Sequence, residues 1–295
     1  MHQALRALAA HILSRSDPAE IDPGRFRWDR LRREDTVRLR HDLAERYAPA
    51  TANKLLSALR GVLRAARDLE LLSEEEYQGA ARLRQIRPVE DPATRTLETG
   101  ELRALFTACA ADHTAAGRRD AALLAIILIT GARRAEAVSL DVGDYERSTG
   151  TLHIRSDLEG RDRRVKLPAS ARKAVNAWLD VRGDEPGPLL LPVDRGGIIR
   201  FRRLTDQAIY EILKRLAARA GVEHITARDL RRTFVVALIA SDLDLQTVQK
   251  RVGHASWMTT AMYQSIAKRR DLSRSVPLEV PYVPPKQRRA KRHGT

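Results

Sequence analysis

Apolar residues recur at helical intervals along most of the chain and alternate in only one short stretch. That pattern predicts a mainly α protein with a small β-hairpin or sheet, an α+β fold. Between Thr51 and Arg67, the residues Leu55, Leu56, Leu59, Val62, Leu63 and Ala66 form one apolar stripe, and Lys54, Arg60, Arg64 and Arg67 fall largely off it. An earlier helix is expected from Arg33 to Tyr47, closed by Pro49. Residues 1–88 contain no convincing strand and read as a small all-helical module with one basic face. The stretch RPVEDPATRT, residues 87–96, has two prolines, several charges and little apolar content, which marks a linker.

A second domain is expected over residues 92–275. Thr99 and Glu101 open a helix over Leu102 to Cys109, and Asp120 to Ile129 is apolar on nearly every face, as a central core helix must be, with Gly131 ending it. Thr149 to Arg155 and Arg163 to Leu167, joined by a polar connection, predict the hairpin. Helices are expected next at Ala169 to Val181 and Thr205 to Ala220; the second carries Ile209, Ile212, Leu213, Leu216 and Ala220 on one face and stops at Gly221. Residues 276–295, with Pro277, Pro281, Pro284 and Pro285 before KQRRAKRH, read as a basic, disordered tail.

Composition adds a partner to this outline. The net charge is +15, from 53 basic and 38 acidic residues, and only eight of the basic ones are lysine, leaving 45 arginines. A polyanion is the expected partner, and arginine suits bidentate phosphate binding. An aromatic content of 4% is too low for a base-stacking single-strand binder, so duplex DNA is favoured. A length of 295 residues points to two domains. The single cysteine, Cys109, excludes an internal disulfide framework, fits a reducing compartment and reads as a small core residue. The longest apolar run, Ala121 to Ile129, is far short of the roughly 20 residues a membrane span needs, and the N-terminus lacks a signal-peptide core. A cytoplasmic protein with no membrane partner is therefore expected.

Three short blocks carry the chemistry: TGARRAEAVSL (Thr130 to Leu140), HITARDLRRTF (His224 to Phe234) and VGHASWMTTAMY (Val252 to Tyr263). Together they resemble the tyrosine recombinase, or phage integrase, family and its Xer-like members, whose catalytic domain has a TGLRxxE block, an HxLRHxF-like block and a GHxxxxxTTxxY block in this order. The stretch PATANKLLSALRGVLRAA resembles, more loosely, the family's helical core-binding domain. The resemblance implies that residues 1–88 bind DNA, with Lys54, Arg60 and Arg64 on the binding face, and that residues 92–275 cut it. It also implies a C-shaped clamp around duplex DNA and a homo-oligomer, a tetramer on two sites. The segment after Tyr263 would dock on a neighbour, and an accessory recombination factor is compatible with this scheme.

Carried over residue by residue, the resemblance makes Tyr263 the nucleophile, Arg133 and Arg231 the two family arginines, Glu136 their acidic supporter and His254 the proton acceptor. The chemistry is coherent without a metal or cofactor. A phosphodiester under attack gathers charge on its nonbridging oxygens, and two planar guanidiniums can clamp that charge. A tyrosine with a free pKa of about 10 needs neighbouring cations and a base. The 3′-phosphotyrosine retains the energy of the broken bond, so a 5′-hydroxyl can reverse the step.

Two positions depart from the family pattern. Arg228 stands where the family has a histidine three residues before the second arginine, and arginine cannot accept a proton. Thr226 and Asp229 read as a capping box that sets Arg228 in the first helical turn, where the macrodipole disfavours a cation. This points either to a bound anion or to a salt bridge with Asp229 or Glu223. His224 is out of register and reads as structural. Leu158 stands where the family's hairpin lysine protonates the leaving group. Lys166 is the only lysine in the hairpin, while Arg155, Arg161 and Arg163 are phosphate binders and poor proton donors. The leading expectation is a site-specific recombinase. The rivals are a catalytically degenerate member that only binds DNA, supported by these two departures, and a type IB topoisomerase-like relaxing enzyme.

Overall fold

A computed structural model of the chain describes residues 2–13, 17–86, 95–156, 162–241, 243–253, 257–269 and 280–285. The chain divides into two compact units, Met1–Ala93 and Thr94–Thr295, each with its own hydrophobic core.

The first unit contains α1 (His2–Ile12), α2 (Arg33–Arg46), α3 (Pro49–Asp68) and α4 (Glu74–Ala81). The stripe predicted on α3 is the centre of its core: Leu55, Leu56, Leu59, Leu63 and Ala66 are buried against Leu8 of α1 and Leu39 and Leu43 of α2, while Val62 is only partly covered. Each fully buried leucine contributes about 2 kcal/mol of transfer free energy, so the stripe alone accounts for a large share of this unit's cohesion. Pro49, expected to close α2, instead opens α3, where its missing N–H has no helical acceptor to lose; α2 already ends at Arg46. Ser73 and Glu76 form a reciprocal cap that starts α4.

The second unit begins with α5 (Thr99–Ala111) and α6 (Ala115–Thr130). From Arg119 to Thr130 every residue of α6 is buried: the run Ala121 to Ile129 is apolar throughout, and the two charged residues before it, Arg119 and Asp120, pair with each other at 2.7 Å. Then come α7 (Arg134–Ser139) and a three-stranded antiparallel sheet of β1 (Tyr145–Glu146), β2 (Thr151–Ile154) and β3 (Arg163–Lys166) in that order. The predicted hairpin is β2 and β3, with Ile154 opposite Arg163 and Thr151 opposite Lys166. The third strand, β1, has too few residues to show a period. In β2 the buried positions are Leu152 and Ile154, but the buried position of β3 is Arg163, an arginine where the pattern calls for an apolar residue.

Helices α8 (Ala169–Arg182) and α9 (Asp206–Ala220) pack against α6 and α5 respectively. A satellite cluster joins α10 (Ala227–Ala240), α11 (Leu245–Val252) and α12 (Trp257–Arg269) through Phe234, Val235, Leu238, Val248, Val252 and Tyr263. Farther on, Val280 and Tyr282 return to the main core: the Val280 N–H donates to Ser170 Oγ at 3.3 Å, and the Tyr282 ring lies 6.4 Å from that of Phe106. Cys109 is buried in the same core, where desolvation pushes its thiol well above the ordinary range. No described helix is long and apolar enough to cross a membrane.

Candidate active site

The block TGARRAE folds as a helix end, a glycine turn and a new helix start. Gly131 ends α6 in the left-handed region at φ +62°, and a Cβ there would lie 2.6 Å from the Phe234 ring of α10. The turn aims the Gly131 carbonyl at Arg231 and delivers Arg133 to the head of α7. There the Arg133 N–H donates to Glu136 Oε2 at 2.8 Å and its Nη1 to Oε1 at 2.7 Å, so one carboxylate caps the helix and holds the guanidinium. The Arg133 Nη2 donates to the Gly253 carbonyl at 3.0 Å. Gly253, at φ +67°, is the left-handed stop of α11.

Arg231 comes from the buried side of α10 and is 8% exposed. Its Nη1 donates to the Gly131 carbonyl and its Nη2 to the Val252 carbonyl, the latter at 3.0 Å. Burial, followed by the nearby charges of Arg133 and Arg163, lowers its pKa to about 10, which still leaves it cationic at neutral pH. Each of the two guanidiniums commits two nitrogens to fixed partners, and the five N–H groups of the fork leave further donors for an anion.

Arg133 and Arg231 line one cleft of about 290 Å³ together with Arg228, Arg134, Ala132, Ala227, Thr259 and Tyr263. Tyr263 reaches it from α12 and is itself 8% exposed. Arg228 lies in the first turn of α10, behind the Thr226 cap that Asp229 completes. Neither salt bridge expected for it from sequence is present. The Asp229 carboxylate receives the Thr226 N–H and hydroxyl and lies 3.8 Å from Arg232, and Glu223 pairs with Arg95 at 3.4 Å. Arg228 is exposed at the cleft and has no ion-pair partner among the described residues. The cleft thus sets four guanidiniums, those of Arg133, Arg134, Arg228 and Arg231, and one phenol around a single space, with a helix N-terminus at its wall, an arrangement suited to binding an oxyanion.

Residues 95–270 match the phage integrase family. The chain belongs to the phage integrase family, the tyrosine recombinases. Tyrosine recombinase XerC of Azotobacter vinelandii is 31% identical over 236 residues, 78% of this chain and 75% of that protein. XerC of Corynebacterium glutamicum is 31% identical over 155 residues, and the match with it spans about half the length of that curated relative, 48%. Among solved structures, the Tn1549 transposon integrase in complex with transposon right end DNA aligns with a TM-score of 0.66 at 13% identity, covering 93% of this chain and 99% of that one. XerH bound to its difH substrate aligns at 0.63 and 23% identity, covering 82% and 70%. Both have the fold described above.

In this tyrosine recombinase the cleft brings together Tyr263, Arg133, Arg231 and Arg228, with Glu136 directly behind Arg133. Lys166 is elsewhere: exposed at the far end of β3, it lines a separate and larger cleft of about 1240 Å³ with Arg164, Lys250 and Arg251. His254, Arg161 and Leu158 lie outside the described residues. Arg155 is held by Asp144 at 2.6 Å and Asp141 at 3.3 Å, so its charge is spent within the fold. In the first unit Lys54 and Arg64 are exposed on α3, whereas Arg60 turns its Nη2 to the Leu83 carbonyl at 2.7 Å. The sequence marks Arg163 only as a phosphate binder; in the fold it is buried and grips Glu136, with Nη2 at 2.8 Å from Oε2 and Nη1 at 3.3 Å from Oε1. The signal for it is an arginine at the inward position of a strand. The Glu136 carboxyl is raised by burial, but the hydrogen bonds and charge of Arg163, then those of Arg133, outweigh this and hold it below the usual carboxylate range.

Proposed function

We propose that this chain is a site-specific DNA recombinase that cleaves and rejoins duplex DNA through a 3′-phosphotyrosine formed at Tyr263. The observation that carries this reading is the single cleft lined by Tyr263, Arg133, Arg228 and Arg231. The Tyr263 oxygen attacks the scissile phosphorus as the bond to the 5′ oxygen breaks. The phenolic proton passes to His254, and the departing 5′ oxygen takes up a proton. Arg133 and Arg231 neutralise the nonbridging oxygens, and because their guanidiniums are already oriented, little reorganisation is needed at the moment of reaction. Arg228 takes the place of a proton-accepting group with a third clamp. Residues 1–88 supply DNA affinity through Lys54 and Arg64, and a homo-oligomer, a tetramer by the family pattern, brings two sites together, with or without an accessory factor.

A second reading is favoured by Arg228 and Leu158: with an arginine and a leucine where the family has a histidine and a lysine, the protein binds DNA and does not cut it. Covalent trapping on a nicked duplex selected for binding to the protein separates the two. Tyr263→Phe is expected to abolish the denaturant-stable adduct while leaving noncovalent affinity within about twofold, since only one hydroxyl is lost. Wild-type adduct at the level of Tyr263→Phe, on DNA that the protein binds, decides for the second reading.

A further inference from the structure

We infer that Arg163 is a positioning residue of the strand-transfer site, acting through Glu136 to hold the Arg133 guanidinium in its reactive orientation. This inference rests on the recombinase reading above. Both oxygens of the Glu136 carboxylate are shared: Oε1 takes Arg133 Nη1 at 2.7 Å and Arg163 Nη1 at 3.3 Å, and Oε2 takes the Arg133 N–H at 2.8 Å and Arg163 Nη2 at 2.8 Å. Arg133 and Glu136 belong to one turn of α7, a short helix that cannot by itself hold a side chain still. Arg163 ties that turn to β3, in the hydrogen-bonded sheet.

The second anchor of Arg133 lies beside Arg163. The Gly253 carbonyl accepts Arg133 Nη2, and a Cβ on Gly253 would come within 3.2 Å of Arg163 Nη1. Arg163 therefore grips the carboxylate that orients Arg133, lies beside the glycine whose carbonyl is its second anchor, and is absent from the lining of the cleft. Its Nε is buried without a hydrogen-bond partner among the described residues. A buried orphan donor is a cost, so the side chain is poorly chosen for stability alone. The charged groups around Glu136 are Arg133 at the head of α7, Arg163 from β3 and Arg231 from α10, with Tyr263 of α12 beyond Arg231. Of these, Arg163 does most to keep the carboxyl ionised.

The test measures single-turnover adduct formation across pH, with DNA affinity in parallel, for wild type, Arg163→Met, Arg163→Lys, Glu136→Gln and the double variant Glu136→Gln/Arg163→Met. Arg163→Met is expected to slow adduct formation about 100-fold with affinity nearly unchanged, the scale of loss that misplacing a reacting group produces. Its acid limb should move to higher pH, because Glu136 without Arg163 takes up a proton more readily. Arg163→Lys keeps the charge and should restore the limb. The double variant removes both buried charges together, which protects the fold, and should be no slower than Glu136→Gln alone, since both residues act on one guanidinium. A wild-type rate in Arg163→Met overturns the inference. So does a double variant whose loss is the product of the single losses, with an unshifted pH profile. Wild type that binds DNA but forms no adduct overturns the recombinase reading itself, and this inference with it.

Discussion

On α3, Lys54 and Arg64 stand in solvent with no ion pair among the described residues, whereas Arg133 and Arg231 in the cleft each give two guanidinium nitrogens to a backbone carbonyl or a buried carboxylate. The contrast separates two uses of positive charge. An exposed flexible cation adds Coulomb attraction that salt screens, and it tracks a phosphate backbone without fixing any atom of it. A guanidinium locked by its neighbours has given up its freedom before the ligand arrives, so its charge can be matched to a short-lived geometry. A basic composition predicts the first use and is silent on the second.

The sharpest way to break this contrast is to remove one residue of each kind. Arg231→Ala should lower single-turnover cleavage on the order of 1,000-fold, the scale of one lost transition-state donor, with DNA affinity changed only a few-fold. Parallel losses in cleavage and affinity would make it an ordinary phosphate anchor. Arg228 is an intermediate case, cleft-lining yet exposed and without a salt bridge among the described residues. Arg228→Ala should reduce adduct yield about tenfold, and Arg228→His should recover part of that loss by returning a group that can move a proton. Equal yields for wild type and alanine would remove it from the clamp. The smallest effect belongs to α3: Lys54→Ala and Arg64→Ala should each weaken binding alike on every DNA sequence and reduce the salt slope by about one per lost phosphate contact. Arg60→Ala sharpens the point, because its bond to the Leu83 carbonyl predicts a lower melting temperature and an unchanged slope.

How much of this is legible in the sequence depends on how local each cause is. The all-apolar run of α6, the α3 stripe and the β2–β3 hairpin arise from periodicities of a few residues, and structure and sequence agree on them to within a residue or two at most ends. Gly131 announces a helix stop. That its carbonyl holds an arginine one hundred residues away is not visible, because a backbone acceptor has no side-chain signature. The Arg163–Glu136 pair joins positions 27 apart through the sheet register, which no single stretch encodes. Strand β1, with only Tyr145 and Glu146, leaves no pattern to read. Pro49 reads as a stop when it is a start, since proline breaks a helix that precedes it and equally favours the first turn of the next one. The three motif blocks point to Tyr263 and the arginines by likeness, and the cleft is where the structure brings them together.

The return of Val280 and Tyr282 to the core has a practical meaning for anyone shortening this chain. Helix α12 looks like the natural place to cut, and everything beyond it reads as polar or proline-rich. Yet Tyr282 closes the wall over Phe106, and Val280 is fastened to Ser170 at the head of α8. A cut directly after α12 would strip a panel from the hydrophobic interior and expose it to water. A cut after residue 285 takes away KQRRAKRH and leaves the panel in place.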